Sequence, residues 1–254
     1  MEVMATHQAI LLVLLGLLPS LLWMLYFLRR DPHPEPRSMI AKTFLMGIII
    51  SPFAVLLQAG FTHLPDLFPG YPFLADSGLF FLWAAFVEES IKYYAVRIIA
   101  LHDPAFDEPV DAMIYMMMAG LGFAAIENIL VLFRTIPNGV ETTLTIWALR
   151  SLGATLLHAL SSGLLGYFLA LSWFFRNHRK KLFLVGLGIA TLFHFAFNTF
   201  LANTGDQAHG LLWATGLLCV MAFLISILFD KIKKRSPRTA LRLTAATEKE
   251  INTV

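Results

Sequence analysis

The sequence predicts an all-α fold: a polytopic transmembrane helical bundle of about seven spans, with the N-terminus outside and the C-terminus cytoplasmic. Three observations predict it. First, the 254 residues are 57% hydrophobic and only 14% charged, with a mean hydropathy of +0.69. A soluble domain carries roughly 25% charged residues, so this chain cannot cover a water-facing surface. Second, apolar segments of about the 20 residues that a membrane-crossing helix needs recur at 7–28, 39–60, 78–100, 110–134, 145–175, 182–202 and 209–229. Third, basic residues gather on alternate connections. Arg29, Arg30 and Arg37 follow the first segment, Arg176, Arg179, Lys180 and Lys181 follow the fifth, and seven basic residues lie from Lys231 onward. Residues 1–8 and the connections 61–77 and 203–208 have no Lys or Arg. Positively charged loops stay on the cytoplasmic side, which sets the orientation.

Each element has its own signal. The first segment is an uncleaved span, because Arg29 and Arg30 come after its apolar run, whereas a signal peptide carries its basic residues in front. The connection 61–77 holds Pro65, Pro69, Gly70 and Pro72 with several aromatics, which places it at the outer interface. The fourth segment opens with Glu108-Pro109-Val110-Asp111. An acid there suits the positive end of a helix dipole, so Asp111 reads as structural. The fifth is long enough to tilt or to project from the bilayer. Residues 1–230 are expected to form one membrane domain with its motif-bearing core at 78–202. Residues 231–254 are expected to be a flexible basic cytoplasmic tail that flanks the last span and can meet lipid headgroups. The chain reads as a multi-pass protein of the cell membrane, with lipids as partners. No phosphate-binding glycine loop or nucleic-acid-binding stripe appears, so no nucleic-acid partner is expected. The single Cys219 excludes an intramolecular disulfide and any cysteine metal cluster.

Function is written in the polar residues at membrane depth. Glu88 and Glu89 stand side by side in the third apolar segment. A carboxylate there costs roughly 3 kcal/mol to insert, so such residues mark functional sites by default. Lys92 lies four residues from Glu88 and three from Glu89, within reach of either along a helix. Neighbouring residues point about 100° apart, so only one carboxylate need face a reaction centre. The fourth segment carries Glu127 and Asn128. The fifth carries Arg150, then His158, Ser161 and Ser162 on one face. The sixth carries His194 and Asn198, one turn apart. Arg150 can snorkel to the headgroups or pair with a buried carboxylate. The two serines read as close-packing residues. At 1.5 Å per residue, Glu88, Glu89, His158 and His194 lie at similar depth, about 15–18 Å in, with Glu127 and Asn198 nearer the outer face. That displacement predicts access from the outer half.

This donor set suits hydrolysis. A buried glutamate beside histidine can hold a water and take its proton, while histidine and asparagine can hydrogen-bond an oxyanion. Glu89, Glu127, His158 and His194 could instead bind zinc, which also activates water. Two other classes compete: a transporter or proton relay built on the same charges, and haem binding by His158 and His194.

The motifs Glu88-Glu89-Ser90-Ile91-Lys92, Pro109-Val110-Asp111 leading to Gly122-Phe123-Ala124-Ala125-Ile126-Glu127-Asn128, His158-Ala159 with Ser161, and His194 with Asn198 resemble the PrsW family of intramembrane proteases. That family is related to the CAAX prenyl endoproteases and the ABI-type membrane proteases. The resemblance covers about residues 78–202, and four motifs in order on four spans make it specific. It implies cleavage of a membrane-anchored protein such as an anti-sigma factor. It implies that Glu88 and Glu89 are the essential acids, joined by His158 and His194, with His194 and Asn198 holding the oxyanion. Glu127 is counted with these catalytic residues, and Lys92, Asn128 and Arg150 stand as supporting ones. Lys92 and Glu127 depart from the prenyl-protease pattern, which has an Arg near the pair and a basic or His residue at the later position. His158 then takes the water-activating role.

Overall fold

The computed structural model describes residues 6–30, 33–202 and 207–235, and contains helices and no strand among them. The segments 1–5 and 236–254, the latter most of the expected tail, lie outside the described residues. The helices are α1 (Thr6–Leu28), α2 (Arg37–Thr62), the short α3 (Leu64–Leu67), α4 (Ser77–Ile99), α5 (Asp111–Thr135), α6 (Val140–Leu152), α7 (Ala154–Phe174), α8 (Arg179–Ala202) and α9 (Gln207–Arg235). Among the described residues, six helical units are long and apolar enough to cross a membrane: Thr6–Leu28, Arg37–Leu67, Asp111–Asn138, Val140–Phe174, Arg176–Ala202 and Ala208–Arg235. The chain is thus a polytopic helical membrane protein. α4 equals α1 in length at 23 residues, but carries Glu88, Glu89 and Lys92, all buried against other helices.

α5 is the central rod. Every residue from Asp111 to Ala125 is buried, and α1, α2, α4, α6 and α7 pack around it. Small residues make the close approach possible, as is usual between membrane helices. A Cβ on Gly120 would lie 2.6 Å from the His158 carbonyl oxygen of α7. A Cβ on Gly122 would collide with the Phe44 carbonyl of α2, and one on Gly166 would lie 2.7 Å from the Ala112 carbonyl of α5. Met113, Met116, Met117 and Met118 are fully buried between these contacts. Unbranched thioether chains fill such irregular gaps well.

Local signals set the helix ends. Asp76 accepts a hydrogen bond from the Leu79 amide at 2.9 Å and so caps α4. Asp111 accepts from the Asp107 and Glu108 amides at 2.9 and 2.7 Å, ordering the turn that leads into α5. Tyr115 donates to Glu35, tying the α1–α2 connection to α5. The connection after α2 forms α3 and a 3-10 turn at Pro72–Ala75, with no buried residue in either.

Two elements differ from the sequence expectation. The single long fifth helix is two, α6 and α7, broken at Gly153. The Gly153 amide donates to the Leu149 carbonyl of α6 at 2.8 Å and closes that helix; a Cβ at Gly153 would sit 2.7 Å from that oxygen and 3.5 Å from the Phe197 ring of α8. α9 runs through Arg235, so the expected boundary at 230 falls inside a helix.

Replacing Gly122 with Val should lower the melting temperature measurably in detergent, by the equivalent of about 1–3 kcal/mol for overpacking. Gly188→Ala, with open space at its Cβ, should leave it unchanged.

Candidate active site

Four helices place charged or polar side chains in one buried cluster. α4 brings Glu88, Glu89 and Lys92, α5 brings Glu127 and Asn128, α7 brings His158 and Ser161, and α8 brings His194. Glu89 and Lys92 are fully buried, and Glu88, His158 and His194 are no more than 5% exposed. Buried charges must be paired and hydrogen-bonded, and the bonds follow from that requirement.

Glu89 is the junction. Its Oε1 accepts from Lys92 Nζ at 2.7 Å, His194 Nδ1 at 2.8 Å and Ser161 Oγ at 2.9 Å. Lys92 Nζ also lies 2.8 Å from His158 Nδ1 and 5.0 Å from the centre of the Phe123 ring. His158 Nε2 is 2.9 Å from Glu127 Oε2, which also accepts from Arg150 Nη2 at 3.1 Å. Arg150 Nε donates to Asn128 Oδ1, and Asn128 Nδ2 donates to Thr155 Oγ1, both at 2.8 Å. Of the two roles open to Arg150, pairing is the one it takes.

Glu88 is held differently. Gln58 of α2 donates to its Oε1 at 2.9 Å. Its Oε2 is buried and has no hydrogen-bond partner. That oxygen lies 3.5 Å from His194 Nε2, 3.9 Å from His158 Nδ1 and 4.0 Å from Lys92 Nζ. A carboxylate only accepts hydrogen bonds. The contacts to Glu89 and Glu127 therefore place the protons on His194 Nδ1 and His158 Nε2. The remaining ring nitrogens turn their lone pairs toward the space beside Glu88.

This arrangement fits a metal ion. Glu88, His158 and His194 offer ligand atoms all within 4.8 Å of one another. Each histidine gives its other N–H to a carboxylate, the outer-shell pattern of metal-ligating histidines. Glu89 and Glu127, candidate ligands on sequence grounds, occupy those outer positions. Lys92 Nζ engages the lone pair of His158 Nδ1, so an ion held by all three residues would displace the ammonium from that nitrogen. The two imidazoles meet edge to face at 89°, with centroids 5.1 Å apart. So short a separation leaves no room for a flat macrocycle between the rings, which counts against haem.

Exposure is uneven. The side chains of Glu127 and Arg150 are 29% and 24% exposed, whereas those of Glu88, Glu89, His158 and His194 are at most 7%. Asn198 is half-buried one turn beyond His194 and hydrogen-bonds no described residue. Ser162 packs its hydroxyl against Gly120 without a hydrogen bond, as expected for a packing residue. Ser161 does more, since it donates to Glu89. Gln58 and Thr155 were missed altogether. The signal for Gln58 was there: an amide near the outer end of an apolar segment.

A double-mutant cycle should register the Arg150–Glu127 contact. Arg150→Met and Glu127→Gln together should cost less stability than the sum of the two single losses, by about 1 kcal/mol, read from thermal unfolding in detergent.

Residues 35–228 match the PrsW family intramembrane metalloproteases. The chain is 31% identical to Protease PrsW of Geobacillus kaustophilus, over 66% of this chain and 70% of that one. It is 28% identical to Protease PrsW of Bacillus subtilis over 86% of this chain and 93% of the relative. With Protease PrsW of Clostridioides difficile it shares 27% identity over 88% and 90%. No solved structure matches the chain. The chain belongs to the PrsW family of intramembrane proteases and is a multi-pass peptide-bond hydrolase of the plasma membrane.

Proposed function

We propose that this protease cleaves a membrane-anchored protein, such as an anti-sigma factor, with a water activated between Glu88 and the imidazoles of His194 and His158. The observation that carries this reading is the Oε2 of Glu88, a buried acceptor without a partner, facing the lone-pair nitrogen of His194 at 3.5 Å. A water there donates one proton to Glu88 and presents its lone pair to the scissile carbonyl. The C–O bond forms as Glu88 takes the proton, and the same proton passes to the departing amine as the C–N bond breaks. Gln58 fixes Glu88. Glu89 fixes His194, and Glu127 fixes His158. Asn198, with its amide uncommitted, is placed to hydrogen-bond the oxyanion beside His194.

Where a divalent ion is present, Glu88, His158 and His194 would hold it, and it would supply Lewis-acid polarisation and a more acidic water. Zinc suits two nitrogens and one carboxylate oxygen. The family's description as metalloproteases supports this reading.

Seven spans follow if α4 crosses beside the six apolar units, with the N-terminus outside by the distribution of basic residues. The greater exposure of Glu127 and Arg150 favours entry of substrate from the outer half. A cysteine at 127 in otherwise cysteine-free protein should then react with impermeant reagents added outside; labelling only from the cytoplasm would reverse that orientation.

Glu88→Gln and His194→Ala should each reduce cleavage of a membrane-anchored reporter by roughly 10²–10⁴, the range for losing a general base; Glu88→Gln should retain the unfolding temperature, whereas His194→Ala, which takes a partner from Glu89, should lower it. Full cleavage by the Glu88 variant, or proton flux without cleavage in vesicles, would favour the relay instead. Gln58→Leu should cost roughly 10–100-fold, as expected for a group that orients a reactive ligand. Metal analysis should find one ion per wild-type chain and less than one in Glu88→Ala.

A further inference from the structure

The basic side chains of this protein are not all isolated flanks. Arg97 near the end of α4, His102 in the following turn, and Arg179 and Lys180 at the start of α8 line one cavity of about 560 Å³. That volume lies within the roughly 300–1,000 Å³ of small-molecule sites. Among the described residues, no carboxylate lines it, and none of these four side chains forms an ion pair. The walls are aromatic. Tyr93 packs on Phe183 with centroids 4.4 Å apart, and Phe106 packs on Trp173 at 5.6 Å. The cavity lies at the end of the bundle where Arg29, Arg30 and the basic end of α9 also emerge.

An ordinary stop-transfer flank needs charge but no shared recess. Here three exposed permanent cations from two helices rim one open recess, with apolar and aromatic surface on one side and headgroup depth on the other. A phosphate diester joined to acyl chains satisfies both halves. Basic pockets between membrane helices on the cytoplasmic side have this character, and aromatic rings favour the interface.

We propose that the cavity between the ends of α4, α7 and α8 binds the phosphate of an anionic phospholipid. Arg97, Arg179 and Lys180 supply the charge, and the two aromatic pairs seat the glycerol and the first acyl carbons. The site is separate from the catalytic cluster and does not depend on the assignment of the reaction.

The test uses full-length protein in neutral detergent, titrated with short-chain phosphatidylglycerol and followed by thermal shift and native mass spectrometry. Wild-type protein should be stabilised and should retain bound lipid. Arg97→Gln/Arg179→Gln/Lys180→Gln should bind roughly a hundredfold more weakly, given about fivefold for each charge lost near the headgroup. The single variants Arg97→Gln and Arg179→Gln, each at an exposed position, should each bind several-fold more weakly. They keep the test intact if the triple variant does not fold. Lys233→Gln/Lys234→Gln/Arg235→Gln should bind as wild type does. Equal affinity of the cavity variants and wild type overturns the proposal, as does an equal loss in the α9 variant. An equal shift with phosphatidylcholine, or with inorganic phosphate alone, overturns the lipid assignment.

Discussion

Oε1 of Glu89 accepts from an ammonium on its own helix, a hydroxyl on α7 and an imidazole on α8. That convergence holds α4 in place. A helix bearing two carboxylates and a lysine at membrane depth cannot turn that face to lipid. It is stable inside only if other helices complete the hydrogen bonding, and removing one partner from such a buried pair typically costs about 3–5 kcal/mol. The need to satisfy Glu89 and Lys92 therefore fixes both the rotation of α4 and its height against α7 and α8. Glu88, about 100° further round, is then directed at the lone pairs of the two histidines. The residue that carries the burial cost and the residue proposed to do chemistry are neighbours in sequence with different duties.

Such a meeting requires helices that approach closely. Around α5 the contacts are backbone carbonyls of neighbouring helices against Gly120 and Gly122. Larger residues would move the axes apart and pull His158 from Glu127, because a carboxylate and an imidazole bond only over about 3 Å. Apolar packing along α5 and polar bonding across it are thus one constraint seen from two sides.

The helical membrane fold was legible because composition and segment length leave few alternatives for such a chain. Glu88, Glu89, Lys92, Glu127, His158 and His194 were legible for the same reason: each interrupts an apolar run. The break at Gly153 was not, since glycine is common in membrane helices and the run on either side stays apolar. The Gly153 amide still bonds the Leu149 carbonyl of its own helix at 2.8 Å; the chain turns at Gly153 itself, where φ is −92° and ψ −87°, and residue spacing does not reveal that. Ser161 was hidden because a small residue serves packing and hydrogen bonding equally well. Gln58 showed as an amide near the outer end of an apolar segment, but its tie to Glu88 did not, because it lies outside the motif-bearing stretch. The division of labour among the carboxylates was hidden too: which ring nitrogen each one meets depends on rotamers and helix rotation, not on spacing.

Asn128 bridges the two sides of the Gly153 break. Its carbonyl oxygen receives Arg150 of α6 and its amide nitrogen reaches Thr155 of α7. One side chain on the central rod thereby clasps both arms of an elbow. The heading of α7, and with it the aim of the imidazole one turn later at 158, is governed by a single carboxamide whose donor and acceptor ends cannot be exchanged. A flipped amide would set like against like at Arg150, so the joint admits one angle.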